Sequence, residues 1–409
     1  MTKKISPTRL VLIAIAMLSI QFVCSSSKTM ISPVLHEMVK FYKADLGWTS
    51  LVGTIPSLTM VLGALVSGAL ANKYNNKLIA ISGVILFFLG GVLPVFSDSF
   101  TVMLIWRGVL GFGAGLTRVF AMSWIPIFFK GRSRDIMMGL TNCLGGLLSS
   151  VASLIGGYLG KISWQAAFWG YAFVLICALL IFVFVPEPTR IQKESDAEAG
   201  IVREEAKKEK QSMAGVPAIA WLYCAVMFLE FMCITIMYSV ISSRLVAIGY
   251  TSVQAGVAIS MTGYAMAVVS LIFGFVTRYV KRWGVVIAIA LAAVSYFVLG
   301  YSGNLGMIYV ACAVIGAAMG FSNPTIFNYV NIDCSGNIPM SNSIVLAGLT
   351  LGGFVSSFLL QAFVGMYGKN YSAMFNATGF LLVIILAFTT FVVIYANKRA
   401  QRLGQASTN

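Results

Sequence analysis

Four charged residues stand well inside long apolar runs: Lys28, Arg107, Arg118 and Glu230. An ionised side chain at the centre of a bilayer costs about 2.5–3.5 kcal/mol on insertion scales, so each is a functional candidate by default. Three cations against one acid favour a negatively charged small molecule as the bound species. Lys28 shares a helical stripe with Gln21, Ser25 and Ser32 on an otherwise apolar segment. A polar stripe of this kind is expected to face a water-filled cavity, which makes Lys28 an anion-binding ammonium with Gln21 and Ser25 beside it. The competing reading is an ammonium that snorkels to the outer interface or sits in a structural ion pair. Arg107 and Arg118 are eleven residues apart on one segment. Eleven residues is about three helical turns, so both share a face, about 16 Å apart along the axis. Gly111 lies between them on that face and leaves room. Arg107 is expected to line the outer half of the cavity. Arg118 either binds the same anion or snorkels to the cytoplasmic interface.

Glu230 is the only carboxylate well inside an apolar span. Desolvation and a nearby cation act on a carboxylate in opposite directions, so a lone buried acid can load and release a proton as access switches sides. It can equally be a static partner for a lysine or arginine, or a contact for a cationic substrate. Asn323-Pro324 occupies the place in the tenth span that Arg118 holds in the fourth. Proline breaks the helical ladder, which makes this a gating kink or a source of freed carbonyls. Rows of small residues mark the fifth span (Gly145, Ser149, Ser153, Gly157) and the eleventh (Gly348, Gly352, Ser356), as expected of close helix packing. His36 is assigned to an outer loop with Glu37. The seven cysteines show no metal-type spacing, and no catalytic cluster or phosphate-binding loop is evident. The sequence therefore predicts a non-enzyme without metal or cofactor.

The elements that position these residues follow from composition. Of 409 residues, 59% are hydrophobic and 10% charged, against roughly 25% charged in a soluble domain. The apolar residues come in blocks of about 20, enough to cross a bilayer core as helix. They lack the alternation of barrel strands. An all-α membrane protein of twelve transmembrane helices is expected, over roughly Thr8–Ser32, Thr49–Ala71, Lys77–Phe96, Phe100–Met122, Arg134–Gly160, Gln165–Val185, Pro217–Ile241, Val253–Thr277, Trp283–Tyr301, Leu305–Tyr329, Met340–Tyr367 and Tyr371–Ala396. No cleavable signal is read at the N-terminus. Twenty of the 28 lysines and arginines fall on the side of the two termini and five on the other, which puts both termini in the cytoplasm of a multi-pass plasma-membrane protein. The same rule accounts for the net charge of +15 without a nucleic-acid partner.

The halves repeat. Gly111–Leu116 matches Gly316–Phe321, Leu144–Ser150 matches Leu351–Ser357, and Ala166, Phe168 and Phe173 match Ala373, Phe375 and Phe380, all at an offset of about 206. The offset maps Glu230 onto Cys24, one turn from Lys28. Six-helix bundles are therefore expected over 1–189 and 214–409, joined by a charged cytoplasmic linker over 190–213. A parallel repeat of this kind is the mark of carriers that rock two bundles about a midplane site.

In its repeat and its motifs, the chain resembles the major facilitator superfamily over essentially its whole length. The loop motif after the second span reads Gly68-Ala69-Leu70-Ala71-Asn72-Lys73-Tyr74-Asn75-Asn76-Lys77, keeping the glycine and leucine while Asn72 replaces the acid and Lys73 and Lys77 remain of the bases. Its second-half counterpart runs from Gly274 to Arg282. The motif implies a cytoplasmic gating role for Gly68, Asn72 and Lys73. Arg107-Gly108 through Gly115 matches the fourth-span motif, which implies a second role for Arg107, tying helices together through backbone carbonyls. The Gly-Pro motif of drug–proton antiporters is replaced by Ala152-Ser153 before Gly156-Gly157. Lys28 and Asn72-Lys73-Tyr74 resemble monocarboxylate carriers, although no charge stands between Val253 and Thr277, where those carry an arginine. The resemblance implies a monomer in the lipid bilayer that moves a small molecule by alternating access.

These readings converge on a secondary carrier for a small organic anion of carboxylate type, with protons as a candidate coupling ion. The alternative is a proton-coupled exporter of drugs or amphipathic cations using Glu230. A membrane sensor without transport is a third class, disfavoured because no sizeable soluble domain is present.

Overall fold

The computed structural model describes residues 7–71, 74–129, 132–187, 216–334 and 338–406. Among them, twelve segments are helical, long and apolar enough to cross a membrane. In hydrocarbon a backbone has no water to bond, so each apolar block closes its own hydrogen bonds as helix.

The helices are α1 (Pro7–Thr29), α2 (Leu35–Tyr42), α3 (Leu46–Leu70), α4 (Asn76–Val92), α5 (Phe100–Ser123), α6 (Ile125–Phe128), α7 (Arg132–Gly160), α8 (Trp164–Trp169) and α9 (Val174–Phe184). After the charged stretch come α10 (Ala218–Ala247), α11 (Ser252–Val280), α12 (Trp283–Tyr301), α13 (Leu305–Asp333), α14 (Ile338–Tyr367) and α15 (Tyr371–Ala406). Short 3-10 turns stand at Ser32–Val34, Leu93–Phe96 and Gly170–Phe173. Helix starts near water use polar caps. The Asn75 side chain accepts from the Leu78 amide, Ser163 from Ala166, and Thr251 with Gln254 forms a capping box.

Several boundaries differ from the sequence reading. The region around His36 is helix α2, because Leu35 and Met38 recur at helical spacing and are buried. The sixth span is broken by the 3-10 turn Gly170–Phe173, which presents the buried Tyr171. The seventh span runs on from Ile241 to Ala247, which places Arg244 inside a helix. The tenth runs on from Tyr329 to Asp333. The linker expected over 190–213 lies outside the described residues.

Contacts divide the chain into two compact units, Met1–Lys43 with Leu51–Glu209, and Ala44–Ser50 with Lys210–Asn409. Within each, the repeated glycines mark the closest helix crossings. A Cβ at Gly111 would stand 2.4 Å from the Pro56 carbonyl oxygen of α3, and one at Gly115 2.1 Å from that of Met60. In the other unit, a Cβ at Gly316 would stand 1.9 Å from the Thr262 carbonyl oxygen of α11, and one at Gly320 2.6 Å from that of Met266. The room expected at Gly111 is thus taken by the backbone of α3. The seams expected on the fifth and eleventh spans are also packed. Gly156 meets Met30, while Gly348 and Gly352 meet Cys224 and Phe228 of α10.

Gly316→Ala should cost about 1–3 kcal/mol, the usual range for overpacking, and lower the thermal midpoint of the detergent-purified protein. Gly274→Ala, where a Cβ meets nothing within 4 Å, should change stability by less than about 0.5 kcal/mol. Equal midpoints for the two variants would contradict the crossing.

Candidate functional site

The first unit is organised around Arg107, which is fully buried in α5. Its Nε donates to the Val52 carbonyl of α3 at 2.7 Å, its Nη1 to the Tyr171 hydroxyl at 2.9 Å and its Nη2 to the Ser27 carbonyl of α1. Tyr171 itself donates to the Ser27 carbonyl at 2.9 Å. Its ring also lies under the guanidinium, 5.3 Å from ring centre to Cζ. The Ser27 carbonyl has lost its helical donor because α1 ends at Thr29 and the Ile31 amide bonds to Lys28 instead. A carbonyl freed in an apolar surround must find a donor, and Arg107 and Tyr171 both supply one.

Arg118 is three turns further along α5, half-buried. Its bonded partner among the described residues is a sulfur, Met60 Sδ of α3 at 3.3 Å from Nη1. Both arginines therefore face α3, as their spacing predicts. The charge of Arg118 also reaches Cys24 of α1. Gln21 and Ser25 lie against α7, where a Cβ at Gly145 would stand 3.9 Å from Gln21 Oε1 and 3.8 Å from Ser25 Oγ. Lys28 turns the other way, towards α3, where a Cβ at Gly53 would stand 3.6 Å from Lys28 Cγ. The stripe so divides between two neighbouring helices. Ser32 closes it by donating to the Lys28 carbonyl at 3.0 Å.

In the second unit, Glu230 of α10 is 1% exposed. Ser322 Oγ of α13 donates to its Oε2 at 2.7 Å, and no ion pair to it occurs among the described residues. Pro324 follows two residues later inside α13. It has no N–H to give the Gly320 carbonyl one turn back, and that carbonyl accepts from Ser270 Oγ of α11 at 3.4 Å instead. Asn323 Oδ1 is buried without a hydrogen-bond partner among the described residues. Gly68 stands near the end of α3 with open space beside it, whereas Asn72 and Lys73 lie outside the described residues.

Two arginine clusters carry no signal in the sequence pattern. Arg282 forms a bidentate pair with Asp333, at 2.7 and 2.6 Å, and Tyr223 donates to the same carboxylate at 2.8 Å. Burial works against the Arg282 charge, but the hydrogen bonds to Asp333 and the charge of that carboxylate outweigh it and hold the proton more tightly than usual. Arg244 donates to the Gly300 and Ser302 carbonyls at 3.0 and 2.9 Å and to Ser372 Oγ. Among the described residues, Arg107, Arg244 and Arg282 are thus held by oxygen acceptors, and Arg118 is held by a thioether. No group of three or more His, Cys, Asp or Glu side chains that could hold a metal occurs among the described residues.

Comparison with known proteins places this geometry. The family description Major Facilitator Superfamily matches residues 17–337. The multidrug transporter protein MdtP of Bacillus subtilis (strain 168) is 23% identical over 189 residues, 45% of this chain and 34% of that protein. The multidrug resistance protein MdtL of Escherichia coli (strain K12 / DH10B) is 28% identical over 132 residues, 32% of this chain and 34% of that protein. The match thus spans about a third of each curated relative. Among solved structures, a bacterial homologue of the human lysosomal transporter Spinster, inward-facing and occupied, superposes with a TM-score of 0.75 at 16% identity, covering 95% of this chain and 97% of that one. The xylose transporter XylE of E. coli, partially occluded and inward open, gives 0.70 at 14% identity, covering 93% and 98%.

Arg107→Lys leaves one ammonium for three acceptors and should cost on the order of 3 kcal/mol, as for other broken buried charge contacts. Tyr171→Phe removes one donor and should cost about 1 kcal/mol. Thermal unfolding in detergent would report both, and an Arg107→Lys protein as stable as the wild type would contradict the clamp.

Proposed function

Because the chain belongs to the major facilitator superfamily, we propose that it is a secondary transporter for a small organic anion, in which Arg118 and Lys28 meet the cargo and Glu230 carries a proton. The observation that carries this reading is the contrast among the arginines. A guanidinium prefers planar oxygen acceptors, and a carboxylate can meet it with two parallel bonds. Arg118, with only a thioether beside it among the described residues, keeps that capacity for a ligand. Arg107 directs its donors to α1, α3 and Tyr171. We assign it the helix-tying role and not a cargo contact. Gln21 and Ser25 supply neutral hydrogen bonds beside Lys28, and Gly68, Asn72, Lys73, Asn323 and Pro324 belong to gating.

The reading extends to topology. The excess of lysine and arginine on one side supports cytoplasmic termini. The internal repeat supports bundles over 1–189 and 214–409 that work by alternating access, with 190–213 as their linker. A monomer in the plasma membrane suffices for this scheme.

A second reading, proton-coupled export of amphipathic cations, is favoured by two observations. The curated relatives named above are multidrug transporters or resistance proteins, and Glu230 is an acid bonded by a neutral hydroxyl.

A ligand present at a hundred times its Kd stabilises the folded protein by about 2.7 kcal/mol, so thermal shift separates the readings. Benzoate and lactate should raise the unfolding midpoint of the purified protein, and tetraphenylphosphonium should not. Arg118→Gln should weaken the carboxylate effect by roughly ten- to a hundredfold in apparent affinity, the value of one charge-assisted bond. Stabilisation by the lipophilic cation alone would replace the first reading with the second.

A further inference from the structure

Glu230 and Ser322 are joined across two helices at a point where one of those helices lacks a ladder hydrogen bond. Ser322 is fully buried, its hydroxyl donates to Glu230 Oε2 at 2.7 Å, and Pro324 stands two residues on. The missing N–H leaves the Gly320 carbonyl to a longer bond from Ser270, and the neighbouring Asn323 Oδ1 has no partner among the described residues. Next to the Glu230 contact, α13 is therefore held by one ladder bond fewer than a helix without proline. Thr325 Oγ1 has turned back onto the Phe321 carbonyl at 2.6 Å and adds no tie to another helix.

The surroundings leave Glu230 few other influences. Helix α14 carries no charged residue. The charges of α11, α13 and α15 (Arg278, Asp333, Lys398, Arg399 and Arg402) stand in the C-terminal turns of those helices, and Asp333 is bound to Arg282. On α10 itself, Cys233 is one turn from Glu230, and the Glu230 charge reaches its neutral thiol.

From this geometry we propose that Ser322 is a positioning residue for Glu230, which senses whether that carboxyl is charged and passes the difference to the turn of α13 weakened by Pro324. The proposal rests on the proton-carrying role of Glu230 given above. A hydroxyl bound to a carboxylate makes a charge-assisted bond roughly twice as strong as one to a neutral acid. When a proton adds to the free carboxyl oxygen, the Ser322 bond weakens to a neutral one. The proton comes from water and returns to it, and no other bond is made or broken. The tie between α10 and α13 is then strong with Glu230 charged and slack with it neutral. The slack falls next to the one turn of α13 that lacks its full ladder.

The test needs no transport substrate, because the proton is the probe. Infrared difference spectra of the purified full-length protein in lipid, titrated with acid, report the C=O band of a protonated carboxyl, and Glu230→Gln identifies the Glu230 band by its loss. Removing the hydroxyl in Ser322→Ala should move the titration midpoint of that band to higher pH by about one unit or more. Ser322→Thr, which keeps the hydroxyl, should return it to the wild-type position. Ser270→Ala, which touches only the Gly320 carbonyl, should leave it unmoved. A Ser322→Ala titration that overlays the wild type, with the Glu230 band present, would overturn the role of Ser322 and leave the proton reading standing. A wild-type spectrum in which no titrating band is lost in Glu230→Gln would overturn the proton reading and the inference together.

Discussion

Everything in the first unit depends on one freed carbonyl and the groups that answer it. Helix α1 must stop near Thr29 because a 3-10 turn at Ser32–Val34, with Pro33 in it, leads into α2. Stopping leaves the Ser27 carbonyl without its helical donor. In water that carbonyl would be hydrated at no cost, whereas in an apolar interior it demands a partner. Arg107 and Tyr171 meet it together, and Arg107 also reaches the Val52 carbonyl. One guanidinium thereby fixes α1, α3 and the turn between α8 and α9 to α5. Its desolvation is offset by fixed acceptors, which is the condition under which a buried charge is tolerated. The clamp also sets the position of the next residue along α1, which is Lys28.

The second unit makes a related contact with different residues, although there the carbonyl lies inside the continuous helix α10. The repeat offset of about 206 carries Ser27 onto Cys233. The Cys233 carbonyl accepts from the Tyr296 hydroxyl at 2.8 Å, and Ile234 shares that donor at 3.1 Å. Tyr296 comes from α12, the third helix of its unit's six spans, whereas Tyr171 comes from the sixth span. Arg107 itself corresponds to Cys312, a fully buried thiol. A tyrosine hydroxyl thus meets a carbonyl at the related position in both halves, from different spans, and a cation joins it only in the first. The glycine crossings at Gly111 and Gly316, and at Gly115 and Gly320, were kept in both. Backbone geometry is thus the part of the repeat that persists, and side-chain chemistry is the part that diverged.

This division explains what is legible in the sequence. Twelve apolar blocks, their order and the repeat can be read directly, because lipid imposes them on composition and length. The glycine rows can be read for the same reason. The shared face of Arg107 and Arg118 follows from helical spacing. What those arginines bond to cannot be read, because the acceptors of Arg107 are main-chain carbonyls on other helices, and every residue has a carbonyl. Tyr171 gives no signal in an aromatic-rich segment, and the 3-10 turn that presents it has no proline to announce it. Asp333 is hidden because the apolar pattern fades before α13 ends, so it reads as a loop acid although the helix carries it to Arg282. Ser322 is one serine among many until α13 brings it to Glu230.

Arg118 and Glu230 stand apart from these ties. A buried or half-buried charge without an opposite partner is a standing cost in a membrane, and natural sequences remove such costs unless something else offsets them. For Arg107, Arg244 and Arg282 the offset comes from fixed oxygens. Arg118 and Glu230 lack it, since each has one neutral partner among the described residues, a thioether and a hydroxyl. A fixed counter-ion would lower the cost permanently, but it would also remove any reason to take up a mobile one. On the function proposed above, leaving the guanidinium to a sulfur and the carboxyl to a serine keeps both charges available, one to an anion and one to a proton. That difference separates a transport site from a structural ion pair. It follows that the informative residues here are the charged ones whose bonds are fewest, and not those whose bonds are strongest.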